Sequence, residues 1–142
     1  KNSGVNGAVK WVTEDRVVLA MNNRGLDADK FWFSLFHEIK HVLQQKIKTV
    51  FISSTIEEMM DINNTLEIEA DKFATNYLIS PADYRRLAPS RYISDDEIVE
   101  FARTIGIHPG IVAGRLQHEG IIAQNRCSKL KEKYVIEIKH TA

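Results

Sequence analysis

Residues 37–41 read His-Glu-Ile-Lys-His, and their types and spacing suit hydrolytic chemistry. On a helix of about 3.6 residues per turn, positions four apart share a face, so His37 and His41 would present two imidazoles one turn apart. That spacing suits two corners of a tetrahedral zinc site. Glu38 follows the first histidine directly, so its carboxylate could reach a metal-bound water without being a ligand itself. Zinc lowers the pKa of such a water, and the carboxylate takes its proton. The competing reading is a solvated helix carrying two unrelated histidines. The flanks weigh against it: Phe31-Trp32-Phe33-Ser34-Leu35-Phe36 before the motif and Val42-Leu43 after it put apolar residues all round and predict a buried helix. Buried histidines beside a glutamate need partners, and a metal would supply one.

The elements that must position these residues follow from local patterning. Gly7 to Val12 and Arg16 to Met21 are rich in β-formers and predict a hairpin across Thr13-Glu14-Asp15. Asn22 to Gly25 reads as a turn, and Asp27 or Asp29 can cap the motif helix, expected over 29–46. Thr49 to Ile52 suggests one more strand, and Ser53 to Asn64 an ill-defined insertion. A second helix is expected over 65–79, ending at Ser80-Pro81 because proline disfavours helix in the residue before it. Asp83 to Leu87 suggests a short helix. Ser94 and Glu97 form a capping box for a helix ending at Gly106, and Pro109 opens another running to Glu119 and closed by Gly120. Residues 125–133 read as helical and Tyr134 to Ile138 as a closing strand. The fold class is α+β, a small β-sheet with helices packed against it.

Two histidines do not close a zinc site, and the second helix offers Glu67, Glu69 and Asp71. Ala70, Phe73, Ala74, Tyr77 and Leu78 define its apolar stripe. At about 100° per residue, Glu67 falls within about 20° of Ala74, Asp71 about 60° off that line, and Glu69 about 140° away. Glu67 is therefore the expected buried acid and third ligand. Asp71, one turn later, is placed to hold a ligand's second nitrogen, as metal-bound histidines require. Glu69 is expected to face solvent.

Composition narrows the setting. The 142 residues suit one domain with its own core. Lys plus Arg equals Asp plus Glu at 19 each, so no net field draws nucleic acid or anionic membrane. No apolar run approaches the ~20 residues that span a bilayer, so no membrane partner is expected. A lone cysteine, Cys127, fits a cytoplasmic protein and leaves any metal site to His and carboxylates. The chain starts at Lys1, and it is expected to be part of something longer.

HEIKH, followed by Glu67-Ile-Glu-Ala-Asp-Lys-Phe-Ala74 and Tyr77-Leu-Ile-Ser-Pro81, resembles the ImmA/IrrE family of zinc-metallopeptidase-like proteins. Phe31 to Phe36 and Gly106 to Gln117 sharpen the likeness toward the C-terminal domain of large HigA-type antitoxins, which follows a helix-turn-helix domain. The resemblance runs from about Gly4 to Lys133 and implies a thermolysin-like core. It also implies zinc ligands at His37, His41 and Glu67, with Asp71 behind them. A protein or peptide substrate or a toxin partner would follow, with DNA reached only through a domain outside this sequence. The activity implied is zinc-dependent cleavage or regulation of a protein partner; the alternative is a zinc-binding module that binds a toxin without proteolysis. Lys40 departs from the family pattern, where a small residue, often glycine, is usual. It could crowd the site, pair with Glu38, or reach solvent.

Other residues carry weaker signals. His108, before Pro109, could donate to the oxyanion formed when water attacks a peptide carbonyl, or could cap the following helix. Tyr77 suits core packing; His118 and His140 read as surface residues, and Cys127 as a structural thiol. Residues 94–120 have a helix-turn-helix outline with Arg103, Arg115 and His118. Asp95, Asp96, Glu97, Glu100 and Glu119 cancel those charges, so the segment reads as a helical pair packed on the zinc domain.

Overall fold

Alternation of side chains across a pleated ribbon gives the chain its first element. A computed structural model of the protein describes residues 7–21, 27–48, 56–87, 92–135 and 137. Strands β1 (Gly7–Thr13) and β2 (Arg16–Met21) pair antiparallel, Gly7 opposite Met21 and Trp11 opposite Val17, with an irregularity between Trp11 and Thr13. Helix α1 spans Ala28–Lys48 and α2 spans Ile56–Leu78; α3 (Pro81–Leu87), α4 (Asp95–Ile105) and α5 (Pro109–His118) follow. The fold is mixed α and β, with five α-helices and one two-stranded sheet among the described residues. None of these helices is long and apolar enough to cross a membrane.

The chain divides into two compact units. The first contains the hairpin, α1 from Phe33 onward, and α2. The second contains residues 23–32 and 81–142, so it takes the first turn of α1 together with α3, α4 and α5.

In the first unit the helices differ from expectation in two respects. α2 begins nine residues earlier than the sequence suggests, so Ile56 to Asn64 is helical rather than an irregular insertion. Glu57 and Glu58 lie in its first turn, where the helix dipole favours acids. The apolar stripe of α2 is Leu66, Ala70 and Ala74, all buried, whereas Tyr77 is 64% exposed and stacks on Phe36 at 4.4 Å between ring centroids. α1 is half-buried rather than enclosed: of its described side chains only Ala28, Glu38 and Gln44 are buried, and Leu43 is exposed. Apolar residues on every face of a helix therefore did not bury it. The proposed turn at residues 22–25 and strand at 49–52 lie outside the described residues.

In the second unit the caps follow the sequence closely. Glu97 N donates to Ser94 Oγ at 3.2 Å and Ser94 N to Glu97 Oε2 at 2.8 Å, the reciprocal pair of a capping box. Gly106, at φ 72°, ends α4 in the left-handed conformation that glycine adopts without strain. Ile98, Phe101 and Ala102 of α4 are buried, as are Ile111, Val112, Ala113 and Leu116 of α5. At the start of α1, Asp27 pairs with Lys30 and Asp29 with Lys131, while Ala28 N donates to Glu132 O.

Two expectations fail here. Residues 125–133 contain one short 3-10 turn, Ser128–Leu130, rather than a helix. The buried Gln117 amide takes the carbonyls of Gln124 and Arg126 that a helix would use, and Cys127 sits at φ 60°, which interrupts helical continuation. The closing strand is likewise absent at Tyr134, Val135 and Glu137; a single bridge between Asp27 and Lys133 stands before it. Tyr134 instead packs on α1, its hydroxyl accepting from Trp32 Nε1 at 2.9 Å.

Cys127 is buried with Sγ 3.2 Å from Asp95 Oδ1; burial, then the Asp95 carboxylate, push its thiol up to about 11. A raised pKa in the folded state contributes stability that is fully present below the ordinary thiol value of 9.0 and is lost as pH rises from there through about 11. Iodoacetamide at pH 8.5 is therefore expected to label Cys127 far more slowly in the folded protein than in urea; equal rates would contradict the buried, protonated thiol.

Candidate metal centre

The centre lies wholly within the first unit, on facing turns of α1 and α2. Helical spacing brings His37 and His41 to one face of α1, with ring centroids 4.6 Å apart and planes at 76°. Their Nε2 atoms stand 2.9 Å from each other. Glu67 of α2 reaches between them, Oε2 3.2 Å from His37 Nε2 and Oε1 3.1 Å from His41 Nε2. One donor atom from each of the three residues falls within a 4.8 Å cluster.

Behind the cluster, His37 Nδ1 is 2.8 Å from Asp71 Oδ1 and His41 Nδ1 is 2.9 Å from Gln44 Oε1. Ionised Asp71 only accepts, so His37 carries its proton on Nδ1 and leaves the Nε2 lone pair toward His41 and Glu67. With both rings neutral and protonated on Nδ1, two lone pairs and a carboxylate converge, an arrangement that a cation suits. Zinc bonds of about 2.0–2.1 Å at tetrahedral angles put ligand atoms about 3.3–3.5 Å apart, close to the spacings here. The residues present fit a zinc ion bound through two imidazoles and a carboxylate.

Each expected site residue has a definite place. Glu67 comes to the histidines, although its side chain is 59% exposed rather than buried. It follows the buried Leu66 directly on α2, and its carboxylate meets both imidazoles. Glu38 is 9% exposed and packs against β1: a β-carbon on Gly7 would lie 2.6 Å from Glu38 Cγ. Glu69 does not simply face solvent; its Oε2 accepts from Gln44 Nε2 at 3.1 Å and lies 4.0 Å from Lys40 Nζ. Lys40 also stands over the Phe73 ring, 5.8 Å from its centroid. Together with Lys72, Asn76 and Tyr77 these residues line an open recess of about 500 Å³.

His108 belongs to the second unit, where it caps α5: Gly110 N donates to its Nδ1 at 3.0 Å, and its Nε2 lies 3.1 Å from Glu132 Oε2. Both ring nitrogens are thus engaged within that unit. Gln44 and Gly7 were missed in the sequence. Gln44 sits three residues after His41, a same-face spacing that could have marked it. Nothing local marks Gly7, whose partner lies 31 residues away.

A half-buried helix bearing two histidines and a buried glutamate, with a third donor from the next helix, is the arrangement of a metallopeptidase-like domain. A family model for the IrrE N-terminal-like domain matches residues 4–117, and the chain belongs to that family. Neither curated proteins nor solved structures gave a match.

Asp71→Asn should weaken zinc binding roughly 10–100-fold in competition with a chromogenic chelator, because the amide no longer fixes His37. Glu67→Gln should lower metal occupancy far more than Glu69→Gln. Equal effects of the two glutamine variants would remove Glu67 from the ligand set.

Proposed function

We propose that the chain is a zinc-dependent endopeptidase-like domain of a bacterial antitoxin or transcriptional regulator, acting on a peptide bond in a protein partner. The observation that carries this reading is the convergence of His37, His41 and Glu67 beside a glutamate that directly follows the first histidine. Bound there, zinc would acidify a water molecule and polarise the substrate carbonyl. Glu38 would take a proton from the attacking water and deliver it to the departing amine, the two halves of general acid–base catalysis. Asp71 would hold the His37 ring, and Gly7 leaves room for β1 to lie against Glu38. Membership of the IrrE N-terminal-like family supports the peptidase class.

Three protein donors among the described residues also favour catalysis over a purely structural role, since structural zinc sites are normally closed by four. A lysine at position 40 would favour the alternative, a non-catalytic module that binds a toxin, if it crowded the site or neutralised Glu38. With its ammonium near Glu69 and Phe73, Lys40 is held by α2 residues, which weakens that support. DNA contacts would belong to a separate domain. The single free cysteine suits a cytoplasmic setting.

Glu38→Gln tests the catalytic reading. The amide nearly preserves volume but cannot accept the proton, and a general base typically contributes ~10²–10⁴-fold in rate. Zinc content and thermal unfolding should match the parent protein while cleavage of the partner disappears. Full regulation by the Glu38→Gln protein in a cell-based reporter would instead support the binding module.

A further inference from the structure

Among the described residues of the first unit, Gln44 is the most deeply buried polar side chain, 1% exposed, and every polar atom of its amide is in use. Its Nε2 donates to Leu66 O and to Glu69 Oε2, both at 3.1 Å, and both acceptors belong to α2. A carbonyl and a carboxylate only accept, so this end of the amide must be the NH₂ group. The oxygen is thereby fixed at the other end, 2.9 Å from His41 Nδ1. An amide oxygen also only accepts, so His41 must carry a proton on Nδ1, and the neutral ring then turns its Nε2 lone pair toward Glu67.

We propose that Gln44 is a positioning residue of the metal centre: it selects the ligating tautomer of His41 and ties that ring to α2, the helix that supplies the third donor. The inference rests on the zinc reading above and adds a residue to it. Asp71 serves His37 from α2, whereas Gln44 serves His41 from α1 while anchored on α2. The two imidazoles are thus referred to the same helix by different chemistry. A neutral amide suits this position because it accepts from the ring and donates to Glu69 at once. A carboxylate could do only the first.

The test joins zinc affinity to a direct reading of the ring proton. Long-range ¹H–¹⁵N correlation spectra of the metal-free protein at pH 8 should show His41 as the Nδ1–H tautomer. Gln44→Leu should populate Nε2–H and lower zinc affinity roughly 10–100-fold in chelator competition, with helical circular dichroism retained. Gln44→Glu keeps an acceptor for Nδ1 but gives up both donations, so it should recover zinc affinity while melting at lower temperature. Parental zinc affinity in Gln44→Leu, or Nε2–H in the parent protein, would overturn the proposal. A parent protein that takes up no zinc would defeat the metal reading itself. The tautomer spectrum then decides the role of Gln44 alone, Nδ1–H supporting it and Nε2–H refuting it.

Discussion

The constraint on which the centre depends is the meeting of electron-rich atoms at the tip of two imidazoles. His37 and His41 bring their Nε2 atoms to 2.9 Å, and both oxygens of Glu67 come within 3.1–3.2 Å. Asp71 and Gln44 each place an acceptor at the far side of one ring, which favours a proton on Nδ1. The Glu67 side chain is 59% exposed, so solvent screens part of this repulsion. The exposure has a second consequence. The Glu67 side of the site is open to solvent, whereas a closed structural site would exclude it.

That convergence sets demands on the rest of the unit. α1 must stay regular through residues 37–44, because one turn separates the histidines and Gln44 follows within the next. α2 must keep its register against α1, and the hydrogen bond from Gln44 to Leu66 O supplies one fixed point for it. β1 must come close to Glu38, which requires glycine at position 7. Overpacking of even a methyl group there would cost about 1–3 kcal/mol or displace the carboxylate. Stability and the placing of the proposed base are therefore linked at one residue.

How much of this was legible follows the range of the forces involved. The hairpin, the motif helix and the capping box of α4 rest on neighbours a few residues apart, and the sequence shows them. Helical periodicity also brought Glu67 and Asp71 to the α1 histidines, because angular position on a helix is a local property. Burial is not local. The same wheel misjudged the exposure of Glu67 and Tyr77, which depends on what packs alongside α2. The helix expected over 125–133 failed for a similar reason: Gln117, from a preceding helix, claims the carbonyls of Gln124 and Arg126. Gly7 and Glu38 meet across 31 residues, and neither carries a local sign of the other.

Glu69 shows how one helix face divides its work. Glu67, Glu69 and Asp71 lie within five residues, and angle alone assigns the middle acid to solvent. Yet Glu69 receives the Gln44 amide and stands near Lys40. A half-exposed ion pair at 4.0 Å contributes under about 1 kcal/mol, so stability is a poor account of it. Its effect is directional: it gives the cation next to His41 a partner on α2. The three acids then perform distinct tasks, Glu67 facing the two imidazoles, Asp71 orienting one of them, and Glu69 restraining the amide and the lysine beside the other. A glycine at position 40 would remove the cation from beside Glu69 and leave the Gln44 contact in place.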